Sequence, residues 1–145
     1  MLYDYMRQRS NPMKDDSDTK CEHILHENGV HEFVLKESGV AAADAYMAGL
    51  ERIYQSRTDI SQAVRVLVNG GGTSLPLQYT FQRGKELIAK YPNMGMMRTA
   101  TLTDKQVEAR LADSFLRLMH FGNTRVRFFD LAHRDAAIEW LVKDD

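Results

Sequence analysis

Apolar and polar positions change period several times between Cys21 and the C-terminus, and each change marks an element. CEHILHENGVHEFVLKES holds two short runs of strand-forming residues on either side of Asn28 and Gly29. Asn-Gly tolerates positive φ at both turn positions, so the pattern predicts strands over 22–27 and 30–36 joined by a two-residue hairpin. In AAADAYMAGLERIYQ, Ala43, Tyr46, Met47, Leu50, Ile53 and Tyr54 recur at helical spacing and leave Asp44, Glu51 and Arg52 on the other side. AVRVLVN, residues 63–69, is a β-branched run broken only by Arg65, which predicts a strand covered on both faces.

The same alternation continues to the end of the chain. LPLQYTFQRGKELIAKY places Leu77, Phe81, Gly84, Ile88 and Tyr91 on one helical face. Gly84 would let that helix approach a sheet closely, at a propensity cost of about 1 kcal/mol. MGMMRTATL, residues 94–102, reads as a further strand. Thr103 and Gln106 then have capping-box spacing, opening a helix that carries Val107, Leu111, Phe115, Leu118 and Met119 inward and stops at Gly122. TRVRFFD is a last strand, and AAIEWLVKD a last helix with Ala137, Ile138 and Leu141 on one face. A hairpin followed by αβ alternation predicts an α/β fold: a mixed sheet of about five strands with helices packed on it, because parallel neighbours need crossover connections.

Residues 1–20 lack any period, are polar and charged, and contain a proline, so they are expected to form a flexible arm ahead of one domain over 21–145. Met13 offers an alternative start. Nineteen Lys and Arg against twenty Asp and Glu give a net charge of −1, which leaves no excess cation for a phosphate backbone and argues against nucleic acid as a partner. The single Cys21 can form no internal disulfide, which suits a reducing, cytoplasmic setting. No run reaches the roughly 20 apolar residues that a membrane-spanning helix requires.

Candidate chemistry centres on VRVLVNGGGTSLPLQY, where a strand runs through Gly70, Gly71 and Gly72 into Thr73, Ser74 and an amphipathic stretch. A Walker A loop is excluded, since no Lys follows the last glycine to reach a nucleotide's phosphates. Three readings stay open. The glycines form a turn, Thr73 or Ser74 caps the helix and Pro76 sits in its first turn; the backbone N–H groups meet an anion; or a hydroxyl is phosphorylated.

Other polar groups yield weaker constellations. Across a two-residue turn His26 and His31 would face each other, with Cys21 and His23 on the opposite face from His26, so two imidazoles make half a zinc site and no metal is expected. His133 with Asp130 or Asp135 lacks a nucleophile or oxyanion motif; the carboxylates suit a helix start and Trp140 a packing anchor. Met94, Met96 and Met97 are the adaptable side chains of an apolar ligand site or of a core, and any such ligand would enter beside Phe115 and Met119.

The hairpin, helix, VRVLVN strand and polar loop, and above all the tail FFDLAHRDAAIEWL, resemble the SpoIIAA-like (STAS-type) superfamily. Members commonly end in a Phe-Asp strand terminus followed by a helix of the form Ala-x-x-Trp-Leu, matched here by Phe129, Asp130, Ala137, Trp140 and Leu141 over a resemblance spanning roughly residues 22–143. The resemblance implies a regulatory or binding module. In its anti-sigma factor antagonist branch a serine at the start of the second helix is phosphorylated, which points to Ser74, with Thr73 beside it. Where that branch has Asp-Ser-Ser-Gly-Leu, this chain has Gly72, Thr73, Ser74, Leu75 and Pro76, without the leading Asp or the following Gly. The related Sec14 type encloses lipid between sheet and helices. The expectation is therefore a non-catalytic module without cofactor. It binds a protein partner through Gly70, Gly71, Gly72, Thr73, Ser74 and Gln78, or a small apolar ligand at the same loop or along the methionines; a homodimer is compatible with either.

Overall fold

The computed structural model describes residues 20–104, 110 and 123–143. Five strands lie side by side in chain order: β1 (Cys21–Leu25), β2 (Val30–Leu35), β3 (Val64–Asn69), β4 (Met97–Thr103) and β5 (Thr124–Asp130). β1 pairs antiparallel with β2, and the other neighbours pair in parallel. The α/β expectation and its mixed sheet are met. α1 (Val40–Ser56) connects β2 to β3, α2 (Leu77–Lys90) connects β3 to β4, and α3 (Arg134–Val142) follows a short 3-10 turn at Leu131–His133. Residues 1–19 of the predicted arm over 1–20, and the helix predicted after Thr103 apart from Asp104 and Arg110, including Gln106, Phe115, Met119 and its stop at Gly122, lie outside the described residues.

Period-two alternation decides which helix covers which face. Phe33 and Leu35 of β2, Val64, Val66 and Val68 of β3, and Met97 of β4 form one core with Leu50, Ile53 and Tyr54 of α1 and Leu87 of α2. Val30, Leu67, Ala100 and Leu102 point the other way and pack on Ala137 and Leu141 of α3. β3 therefore contributes to both cores, as its apolar run, broken only by Arg65, predicts. Leu67, Leu102 and Leu141 are fully buried, and burial of each side chain contributes about 1.5–3 kcal/mol.

α3 is clamped at both ends by side chains of the sheet. Near its start, Arg134 donates to both oxygens of Glu32 at 2.7 and 2.8 Å. Glu32 is only 3% exposed; it also meets His26 Nε2 at 2.7 Å and accepts from Asn69 Nδ2 at 3.0 Å. These donors outweigh burial and hold its carboxyl well down, at about 2. At the other end Arg65 donates to the Leu141 carbonyl at 2.8 Å, while Arg98 donates to the carbonyls of Trp140 and Lys143. Guanidinium groups there satisfy terminal carbonyls and favour the negative end of the helix dipole.

Local details correct the expectations. The hairpin turn is longer than two residues: His26 N donates to Val30 O, Gly29 N to His26 O, and Gly29 alone takes a left-handed φ of 85°. His31 consequently pairs with Leu25 rather than His26. β4 begins at Met97, leaving Met94 and Met96 in the preceding loop. The glycine that permits close packing is Gly49, not Gly84. A Cβ at Gly49 would lie 2.3 Å from Phe33 Cε1, whereas one at Gly84 meets nothing within 4 Å among the described residues.

Candidate functional site

The Gly-rich segment is an ordered turn. Asn69 ends β3 and its Oδ1 accepts from Gly71 N at 3.2 Å; Gly71 adopts the left-handed φ of 57° that favours glycine. Thr73 N closes the turn onto the Gly70 carbonyl at 2.9 Å, and the Thr73 hydroxyl donates to the same oxygen. Beyond it, Ser74 N donates to Ser38 Oγ at 3.0 Å and Gly39 N donates to the Ser74 carbonyl at 3.2 Å. The loop is thereby tied to the connection between β2 and α1.

Neither Thr73 nor Ser74 caps α2, contrary to the sequence expectation. The N-cap is Pro76, with no side-chain capping bond. Leu75 and Pro76 separate Ser74 from the first turn, and the Thr73 hydroxyl is already committed to Gly70. Thr80 ties back to the Pro76 carbonyl through both its N–H, at 2.9 Å, and its hydroxyl, at 2.8 Å.

Behind this loop lies a largely apolar cavity of about 120 Å³. Its lining runs from Tyr46 and Tyr54 of α1 through Phe81 and Gly84 of α2 to Met97 and Thr99 of β4. Gly70, Thr73 and Ser74 form part of the same lining. Ser74 also borders a shallow outer groove with Ser38, Gly39, Gln78 and Tyr79. Of the six residues predicted to bind, three thus line the cavity and Ser74 and Gln78 line the groove. Gly71 and Gly72 line neither among the described surroundings. Sequence periodicity identified the helix faces around the cavity but carried no sign of the cavity itself, since a void depends on how side chains from distant elements meet.

At the sheet floor Tyr54 donates its hydroxyl to Met97 Sδ at 3.4 Å. Burial pushes the hydroxyls of Tyr46 and Tyr54 above the ordinary tyrosine range, so both remain protonated. Of the three methionines singled out, Met97 alone lines this cavity; Met94 packs against the core and Met96 borders a cleft near Arg65 and Arg98.

Histidines come together differently from the predicted pair. His23 Nε2 lies 2.9 Å from His31 Nδ1, and the His23 ring stacks on Phe33 with centroids 4.4 Å apart. Burial, followed by the neighbouring His31 and Arg52, drives His23 down to about 4. One shared proton suffices for this neutral pair. Cys21 is buried and its thiol is pushed up to about 12 by that burial, which leaves it an inert core group. No group of three metal-capable side chains occurs among the described residues.

At the tail, Asp130 Oδ1 accepts from Ala132 N at 2.9 Å and caps the 3-10 turn, while Asp135 sits in the first turn of α3. Trp140 is half-buried against Phe129, with ring centroids 6.0 Å apart. The structural roles predicted for these residues are therefore met. Among the described residues no helix is long and apolar enough to cross a membrane. The strands of the described sheet follow chain order without reversal, so it lacks the switch-point crevice in which doubly wound folds place ligands. No protein-family model, curated protein or solved structure matches the chain.

Proposed function

We propose that this chain is a non-catalytic binding domain of the SpoIIAA-like kind, which takes a small, largely apolar molecule into the cavity beside the Gly-rich loop. One observation carries the reading: the loop singled out by sequence also lines a cavity between two helices and the sheet. A module that binds proteins alone is expected to have a filled core and an exposed patch, whereas concave apolar space with a few convergent polar groups is the usual form of a small-molecule site. The family resemblance rests on the element order and on Phe129, Asp130, Ala137, Trp140 and Leu141.

A protein partner at the outer groove is the second reading. It is favoured by Val40, 49% exposed and adjacent to Gly39, and by the nearby exposed Gln78. In this setting Ser74 is the better candidate for phosphorylation, because the Thr73 hydroxyl is held by the Gly70 carbonyl.

One experiment separates the two. Wild type and Ser74→Glu are screened by thermal shift against small neutral aromatic and alkyl probes, and each is used to capture proteins from native lysate. Probe-dependent stabilisation of the wild type supports ligand uptake. A partner captured by wild type and lost with Ser74→Glu, without any probe effect, moves the function to the groove. Absence of both results refutes the domain's assignment as a binding module at this loop.

A further inference from the structure

We propose that the cavity selects an uncharged molecule of single-ring or short-chain size bearing one hydrogen-bonding group, which the Thr99 hydroxyl engages at the sheet floor. This deepens the ligand-binding reading and rests on it. Thr99 is 4% exposed, lines the cavity, and its Oγ1 has no hydrogen-bond partner among the described residues. The Tyr46 hydroxyl lies close enough to Thr99 for that neighbour to lower its pKa against the larger upward push of burial, yet Thr99 Oγ1 meets the distance and angle limits of a hydrogen bond with none of the described residues. Geometry decides the matter, because a misdirected contact leaves the hydroxyl's hydrogen-bonding capacity unused.

Buried polar groups in folded proteins are normally paired, and one left unmatched at the wall of a cavity points to what the cavity receives. Size and charge narrow the ligand further. A dry apolar cavity of about 150 Å³ accepts benzene, so about 120 Å³ accommodates a small ring or a short alkyl chain. Among the described lining residues there is no Lys, Arg, His, Asp or Glu. A charged ligand would therefore lose its hydration without gaining an ionic partner.

The test compares benzene, phenol and benzoate by titration calorimetry against wild type, Thr99→Val and Thr99→Ser. Wild type is expected to bind phenol about tenfold more tightly than benzene, as one net hydrogen bond predicts, and to reject benzoate. Thr99→Val should lose the preference for phenol while still binding benzene, which also demonstrates that its cavity is intact. Thr99→Ser restores the hydroxyl and should restore the preference, so the proposal stays testable if the valine variant folds poorly. Equal binding of phenol and benzene by wild type, preference retained in Thr99→Val, or preferred binding of benzoate overturns the selectivity while leaving ligand uptake in place. If wild type binds none of the three, the cavity is filled by the protein's own residues, and the ligand-binding reading falls with the inference.

Discussion

Replacing either helical glycine by alanine adds the same methyl group but should change stability in opposite directions. In both helices the substitution recovers about 1 kcal/mol of helix propensity. At Gly84 the new Cβ meets nothing within 4 Å among the described residues, so Gly84→Ala should stabilise the protein by most of that amount. At Gly49 the Cβ would lie 2.3 Å from Phe33 Cε1 and 3.1 Å from Cζ, when comfortable carbon contacts need about 3.5–4.0 Å. Phe33 is fully buried. His23 stacks on its ring at 4.4 Å and Tyr46 meets its edge at 5.2 Å, so rotation offers little relief. Overpacking of this kind costs about 1–3 kcal/mol, leaving a net loss of up to about 2 kcal/mol after the propensity gain. Urea denaturation should move the two midpoints apart with unchanged m-values. Gly49→Ala combined with Phe33→Leu should recover part of the overpacking cost relative to the two separate changes. Equal shifts for the two alanine variants, or additive behaviour of the Gly49–Phe33 pair, would refute the close-packing argument.

Two further predictions concern charge. Arg134→Met should destabilise the fold by about 3 kcal/mol, the lower end of the range for breaking a buried ion pair, because Arg134 is partly exposed while Glu32 is not. Adding Glu32→Met should regain much of the loss in denaturant titrations; a single variant as stable as wild type would show that His26 and Asn69 suffice. The second prediction uses His23, whose folded value lies near 4 against an ordinary 6.5. The unfolded chain takes the proton first, so stability should fall as pH drops from about 6.5 to about 4 and level off with respect to this group below that, a total of about 3 kcal/mol. Glu32, held near 2, works at lower pH: its contribution is present above about 4.5 and is lost as pH falls through about 2. Melting temperatures of wild type and His23→Phe across pH 4–7 check the histidine contribution; identical slopes would place the titration elsewhere.

Features set by neighbouring residues were legible before the tertiary structure. The apolar run of β3, the seven residues of β5, the helical stripe of α1 and the carboxylate of Asp130 at a helix start depend on periodicity and capping over a few positions. The α/β class follows because short strands alternating with amphipathic helices have few ways to bury both kinds of face. Even so, Asn-Gly did not specify a two-residue turn. The observed register places Leu25 opposite His31, which brings His23 and His31 together and leaves His26 for Glu32.

Only tertiary packing decided the contacts between elements far apart in the chain. Glu32 and Arg134 are separated by 102 positions, and no local pattern distinguishes their ion pair from two solvated charges. The carbonyls that receive Arg65 and Arg98 exist as partners only once α3 crosses that face of the sheet. Likewise, Gly49 and Gly84 occupy similar helical settings, yet one helix touches Phe33 and the other opens onto a cavity. Periodicity specifies which side chains turn inward. How closely two inward faces approach, and whether a hydroxyl such as Thr99 finds a partner between them, depends on the combined shapes of residues that meet only in the folded protein.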